Sequence, residues 1–471
     1  MTAPRKPSRP PRPGPPRRRL GPRTPPAEDP PRRAALDALA AVRERDAYAN
    51  LVLPNLLRER GISGRDAALA TELCYGICRA QGLLDAVLQC CANRPLSEVD
   101  GELLDALRLG TYQLLRTRVP PHAAVAATVD LVRAGRGSGA AGFVNAVLRR
   151  VGQRDEDVWV QAVAPAAEDD PVGHLAMAHP HPRWIAQAFA DALGGDLDEL
   201  AAALAADDAR PLVHLAARPG QISAAELAAV AGGELAPYSP YGVHLAEGGN
   251  PGELAPVRDH LAHVQDEGSQ LMALALAGVP LEGADACWLD LCAGPGGKAA
   301  LLGALAATRG ASLDAVEKAE HRARLVEQAC QGLPVAVHLT DGRDSGLPER
   351  AYDRVLVDAP CTGLGALRRR PEARWRRGAD AVAGLVRLQR ELLVAALRLV
   401  RPGGVVAYVT CSPHLDETMR VVADVVRRTG AAQVDARPAF PGVPALGEGP
   451  HVQLWPHRHG TDAMFGALLR R

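Results

Sequence analysis

The sequence is almost without lysine: of its 54 basic residues only Lys6, Lys298 and Lys318 are not arginine. So strong a bias reflects GC-rich coding, so its arginines alone are no sign of selection for guanidinium chemistry. A lysine that persists against it stands out. Net charge is also lacking, since 54 acidic residues balance the basic ones. The chain as a whole therefore carries no footprint of nucleic-acid binding, and only the distribution of charge can argue for it. No apolar run approaches the ~20 residues that span a bilayer, and the N-terminus has no apolar signal segment; the expectation is a cytoplasmic chain without a membrane partner. The nine cysteines include no CxxC pair, which removes the common zinc signature, and no metal site is expected. An odd number without framework spacing argues against a disulfide scaffold. Cys74, Cys78, Cys90 and Cys91 fall in helical patterns and read as buried apolar residues.

What is present is organised around Trp288–Ala299, WLDLCAGPGGKA. An apolar run ending in Asp290, a turn with Gly294, Gly296 and Gly297, and an alanine-rich run have the order strand, glycine turn, helix. Glycines let backbone approach a ligand, and the first turn of the helix offers unpaired N–H groups, so a nucleotide-like cofactor is the expected guest over Cys292, Ala293, Gly294, Pro295, Gly296, Gly297 and Lys298. A P-loop is excluded, because Cys292 and Ala299 stand where it needs glycine and Ser or Thr. The loose dinucleotide pattern is satisfied by Gly294, Gly296 and Ala299, with Glu317 ending the next apolar run at the distance of a ribose-binding acid. Downstream, YDRVLVDAPCTGLG (Tyr352–Gly365) and VVAYVTCSP (Val405–Pro413) each bring a cysteine, Cys361 and Cys411, to a strand end. Dehydrogenases have no need of that.

At these residues the chain resembles the S-adenosylmethionine-dependent RNA cytosine-5 methyltransferases, specifically the bacterial branch that modifies small-subunit ribosomal RNA and carries an antiterminator NusB-like helical domain in front. DLCAGPGGKA, DAPCTGLG, RRRPEARW and TCS match in order and spacing, and ELCYGICR, LRLGTYQLLR, VPPHAAV and GFVNAVLRR match the NusB-like part. The resemblance implies that Cys411, the TCS cysteine, attacks carbon 6 of cytosine, and that Cys361 assists release of the adduct. Glu317 is expected to bind the cofactor ribose and Asp341 its adenine side. Asp358 is expected at the cofactor and at the cytosine edge, where its alternative is a strand-end cap. Lys298 is expected as a compact charge beside cofactor or substrate; chance retention of one lysine is the alternative. Arg368–Arg377, RRRPEARWRR, sets six arginines around Trp375. That run suits a clamp on RNA phosphates with a stacked base, against the alternative of a solvated charge run.

The expected organisation is a disordered Pro/Arg-rich tail (1–32), an all-α NusB-like RNA-docking bundle (33–153), a helical connector with a small α/β element (156–262), and a Rossmann-like class I methyltransferase domain (263–471) with a doubly wound, mostly parallel sheet. A helix is expected over Val264–Leu276 and a last strand over Gly460–Leu469. There Ala463 and Met464 replace the glycine and phenylalanine usual in the resembled family, a change expected to alter packing more than chemistry. A monomer is the expected state. A transfer RNA substrate, or a non-catalytic assembly or antitermination factor, would share these motifs; intact Lys298, Asp358, Cys361 and Cys411 argue against the second.

Overall fold

The computed structural model describes residues 29–245 and 250–471. Most of the expected N-terminal tail, up to residue 28, lies outside the described residues. Its last residues join helix α1 (Pro30–Arg45), where the Asp29 side chain accepts a hydrogen bond from Arg32 N. Two prolines opening the helix cost nothing there, because first-turn N–H groups have no intrahelical acceptor. Four more helices follow: α2 (Ala49–Glu59), α3 (Gly64–Cys91), α4 (Gly101–Arg116) and α5 (Pro121–Val151), the last broken at Gly137. Their apolar stripes close two adjoining cores, one with Leu73, Ile77, Leu84 and Leu109, the other with Leu83, Val87, Leu107 and Leu148. Cys74, Cys78 and Cys91 are buried as expected; Cys90 is exposed, because it lies on the outer face of the last turn of α3.

The connector is helical, with α6 (Glu156–Val163), α7 (Pro171–Ala178), α8 (Arg183–Ala192) and α9 (Leu197–Asp208). A small unit then forms from β1 (Val213–Ala217), α10 (Ala224–Ala231), β2 (Gly233–Leu235), β3 (Gly242–Leu245), α11 (Ala255–Arg258) and β4 (Ala262–Val264). Its sheet is antiparallel in the order β2-β3-β1-β4. The helix expected from Val264 begins later, as α12 (Glu267–Gly278), because Val264 completes β4 and Asp266 caps the helix by accepting from Gly268 N.

The remainder alternates strand and helix: β5 (Cys287–Asp290), α13 (Gly297–Thr308), β6 (Ser312–Glu317), α14 (Glu320–Ala329), β7 (Val335–Leu339), β8 (Tyr352–Asp358), α15 (Ala381–Leu399), β9 (Val400–Thr410), α16 (Met419–Thr429), β10 (Ala432–Val434), β11 (Val452–Gln453), α17 (Pro456–His459) and β12 (Phe465–Arg470). The sheet runs β10-β12-β9-β8-β5-β6-β7, with β11 beside β12. Strands β5 to β9 pair in parallel, whereas β10, β11 and β12 join antiparallel. Both faces are covered, which is why β9 reads as an unbroken apolar run over Val405–Val409. Val405, Ala407 and Val409 enter the core under α12 and α13, while Val406 and Tyr408 enter the one under α15 and α16. Ala463 and Met464 are both buried, Met464 in the first of these cores. The carboxyl ends of β5, β6, β8 and β9 therefore open on one edge, where a doubly wound sheet receives its ligands.

Candidate active site

The glycine turn is shaped by what lies beneath it. Ala293 N donates to Val316 O at 2.9 Å, which ties the turn to β6. Gly296 has φ +112, and a Cβ there would sit 2.8 Å from the Cβ of Ala329 in α14, so any side chain would push the helix away. A Cβ on Gly294 would fall 2.2 Å from Glu317 Oε2, the space a side chain would need being taken by the expected ribose acid. Glu317 ends β6 buried, accepts from Ala319 N at 2.9 Å and faces Arg322 at 3.5 Å. Around the turn, Ala293, Gly294 and Gly296 are buried, Cys292 and Gly297 partly so, and Pro295 is exposed.

Asp290, one residue pair before the turn, is a site residue that the sequence reading passed over as the end of a strand. It is fully buried; Oδ1 accepts from Cys292 N at 3.2 Å, and Oδ2 has no partner. Burial, and then the nearby Asp358 charge, pushes its carboxyl up to about 7. An orphaned, buried acid oxygen at the foot of the glycine turn fits a cofactor carrying positive charge. The signal in the sequence was only an acid just before a glycine turn. Asp341 takes a different place: half exposed at the end of the β6–β7 edge, it is engaged by Arg343 at 2.7 Å, and this pairing holds its carboxyl down to about 2.

Lys298, the retained lysine, is buried and donates to Asp358 Oδ2 at 2.9 Å. Burial pulls its ammonium down, but the Asp358 charge and hydrogen bond, followed by Cys411, leave it above its ordinary value. Asp358 and Lys298 thus bridge the ends of β8 and the glycine turn. Beside them Cys361 Sγ and Cys411 Sγ stand 3.5 Å apart. The two thiols share their chemistry unequally. Hydrogen bonding to Cys411, burial, and the charges of Glu417 and Asp358 push the Cys361 thiol well up. Cys411 is lowered, first by the hydrogen bond from Cys361 and also by Lys298, against burial and the Asp358 and Asp462 charges. Cys411 is therefore the more readily deprotonated of the two sulfurs, with Cys361 within donating distance of it.

The arginine run is corrected by the structure. Arg368 is buried, pairing with Asp462 at 2.8 Å, and Arg369 pairs with Asp266 at 2.7 Å. Arg374 is wholly buried: it donates to Asp207 Oδ2 at 2.8 Å, to Asp208 Oδ1 at 3.3 Å and to the carbonyls of Pro180 and Arg79. Trp375 does not present a free stacking face; its Nε1 donates to Cys78 O at 2.7 Å and its ring packs on Gly82 of α3. Arg376 donates to Ala47 O and lies over Tyr48. Only Arg370 and Arg377 are exposed, and Arg377 donates to Cys361 O at 3.1 Å. The run is an internal clamp that binds the helical domain and connector to the Cys361 loop. Among the described residues no cluster of side chains suits a metal ion, and no helix is long and apolar enough to cross a membrane.

Residues 278–470 match the family described as 16S rRNA methyltransferase RsmB/F, and residues 29–153 match the NusB family. A putative methyltransferase of Mycobacterium tuberculosis is 62% identical, over 97% of this chain and 98% of the relative. The ribosomal RNA small subunit methyltransferase B of Sodalis glossinidius is 32% identical, over 88% of this chain and 95% of the relative. The crystal structure of PH0851 superposes with a TM-score of 0.78 at 23% identity, covering 94% of this chain and 99% of that one, and so shares its fold. With its NusB domain, glycine turn and cysteine pair in place, the chain belongs to the S-adenosylmethionine-dependent RsmB/F family of RNA methyltransferases.

Proposed function

We propose that the protein methylates carbon 5 of a cytosine in small-subunit ribosomal RNA through a covalent bond between Cys411 and carbon 6. The observation that carries this reading is the pair of sulfurs 3.5 Å apart, of which Cys411 is the one held toward thiolate. Carbon 5 of cytosine is a poor nucleophile. Addition of a thiolate at carbon 6 turns the ring into an enamine, whose carbon 5 attacks an electrophilic methyl group. S-adenosylmethionine, when bound, supplies that methyl group. The turn Cys292–Lys298, with Asp290 below it and Glu317 and Asp341 at the following strand ends, would hold it. Asp358, fixed by Lys298, meets the cytosine edge as an acceptor for its amino group, and the Lys298 ammonium offsets the negative charge that develops on the ring as the thiolate adds. After transfer, removal of the carbon 5 proton lets Cys411 leave, and Cys361 assists this step once it has passed its own S–H proton to water, so that its sulfur can take the one from carbon 5. The helical domain docks the RNA. Relatives named for small-subunit ribosomal RNA favour that substrate over transfer RNA, and the assembled cysteines favour an enzyme over a binding factor.

Incubation of each cysteine variant with RNA and cofactor, followed by a denaturing gel, tests the assignment. Cys411→Ala is expected to form no adduct and no product. Cys361→Ala is expected to attack more slowly, without its S–H donor, yet to accumulate a slow-migrating protein–RNA band because release is impaired. An adduct with Cys411→Ala and none with Cys361→Ala would reverse the roles. Bisulfite sequencing of ribosomal RNA from a deletion strain tests the substrate: a small-subunit cytosine should lose its protection, and an unchanged pattern would redirect the reading to another RNA.

A further inference from the structure

The two cysteine loops share one buried acid that the chemistry above does not use. Glu417 lies in a short turn after β9, fully buried, and its carboxylate takes four donors. Oε1 accepts from Thr362 N at 2.8 Å and from Gln389 Nε2 at 3.0 Å. Oε2 accepts from Ser412 Oγ at 2.7 Å and from the Thr362 hydroxyl. Thr362 directly follows Cys361, and Ser412 directly follows Cys411. The two hydroxyl oxygens are themselves 3.1 Å apart. Gln389 of α15 also donates to Pro360 O at 2.9 Å, on the other side of Cys361, and Tyr408 OH donates to Glu417 O at 2.7 Å. A buried carboxylate is costly unless its lone pairs are met, and here four donors meet them. What this arrangement secures is the spacing of the two loops that carry sulfur.

We infer that Glu417 is a positioning residue for methyl transfer: it clamps the loops after β8 and β9 together and so keeps Cys361 within donating distance of Cys411. The inference rests on Cys411 being the nucleophile. Glu417→Gln keeps the size of the side chain but replaces an acceptor oxygen with an amide nitrogen, so two of the four donors lose their partner and meet N–H groups instead. The loops then separate, and Cys411 loses the S–H that favours its thiolate. The other groups facing Cys411, namely Lys298, Asp358 and Asp462, stay in place.

The test is the pH dependence of Cys411 alkylation by iodoacetamide in the full chain, read peptide by peptide by mass spectrometry, without RNA. In Glu417→Gln the midpoint should move to higher pH, each unit being a tenfold loss of thiolate at fixed pH. S-adenosylmethionine affinity by calorimetry should be unchanged, and turnover on RNA should fall on the order of 100-fold, the usual penalty for a displaced reacting group. Should Glu417→Gln fail to fold, Thr362→Val removes one donor and should shift the midpoint in the same direction, with Thr362→Ser returning it toward wild type. A merely structural role would lower the melting temperature and leave the midpoint where it is. Folded variants whose Cys411 profile superposes on wild type would overturn the inference. Wild type that shows the lowered midpoint yet methylates no RNA would overturn the functional reading instead, with the thiol profile still judging Glu417.

Discussion

Asp290 shows how one residue can couple stability to pH. An aspartate in an unfolded chain titrates near 4, whereas burial, with Asp358 nearby, pushes Asp290 up to about 7. Between those values the folded chain holds a proton that the unfolded chain has released. Stability therefore falls as pH rises across that window, by at most about 4 kcal/mol, and stays low above it. Asp290→Asn cannot titrate. Melting without cofactor at pH 5 and pH 8 should show a smaller loss for Asp290→Asn than for wild type. An equal loss in both would mean that Asp290 is not the group that keeps the proton. Cys411 and Lys298 were legible as single letters in the sequence, but their charge states were not, because each depends on a neighbour from another strand end.

At the scale of elements, α3 and the loop after β8 meet at Gly82 and Trp375. Helix propensity alone favours Gly82→Ala in the middle of α3 by about 1 kcal/mol. Packing opposes it, since a Cβ there would lie 2.4 Å from the Trp375 ring. That ring is held at its other edge by the bond from Nε1 to Cys78 O, and overpacking a fixed aromatic costs about 1–3 kcal/mol. The packing term should win, so Gly82→Ala is expected to lower the unfolding midpoint in urea. A raised midpoint would show that the tryptophan moves freely and that the contact is loose. The strand, turn and helix order around Gly294 could be read locally, since period-2 and period-3.6 apolar patterns report on an element's own faces. The contact of Gly82 with Trp375, 293 positions later in the numbering, has no local trace.

Across the whole molecule, Arg374 is the point where helical domain, connector and catalytic domain converge. It is wholly buried, and Asp207, itself bonded to His181 at 2.9 Å, is its main counter-charge. Removing one member of a buried ion pair leaves the other unpaired and typically costs about 3–5 kcal/mol. Arg374→Ala should therefore destabilise the chain by that order in chemical denaturation. It should also slow methylation while sparing cofactor binding, because the clamp adjoins the Cys361 loop and not the glycine turn. A loss below about 1 kcal/mol, the value of an exposed pair, would show that water reaches the cluster.

The sequence by itself determined the order of domains, the glycine turn with its acid at Glu317, and the delivery of two cysteines to strand ends. These follow from apolar periodicity and from backbone conformations that few residues adopt, both of which are local. Tertiary structure alone decided the fate of the arginine run. A cluster of guanidinium groups reads the same whether it faces RNA or the carboxylates of Asp207, Asp266 and Asp462, and Asp462 lies 94 residues from Arg368. Tertiary structure also set the 3.5 Å between the sulfurs, because that distance depends on Glu417, Thr362, Ser412 and Gln389 meeting from three separate elements. Charge and spacing in a sequence name the groups available for chemistry; which of them face each other, and through which of them a proton is shared, is fixed only when burial removes water as the alternative partner.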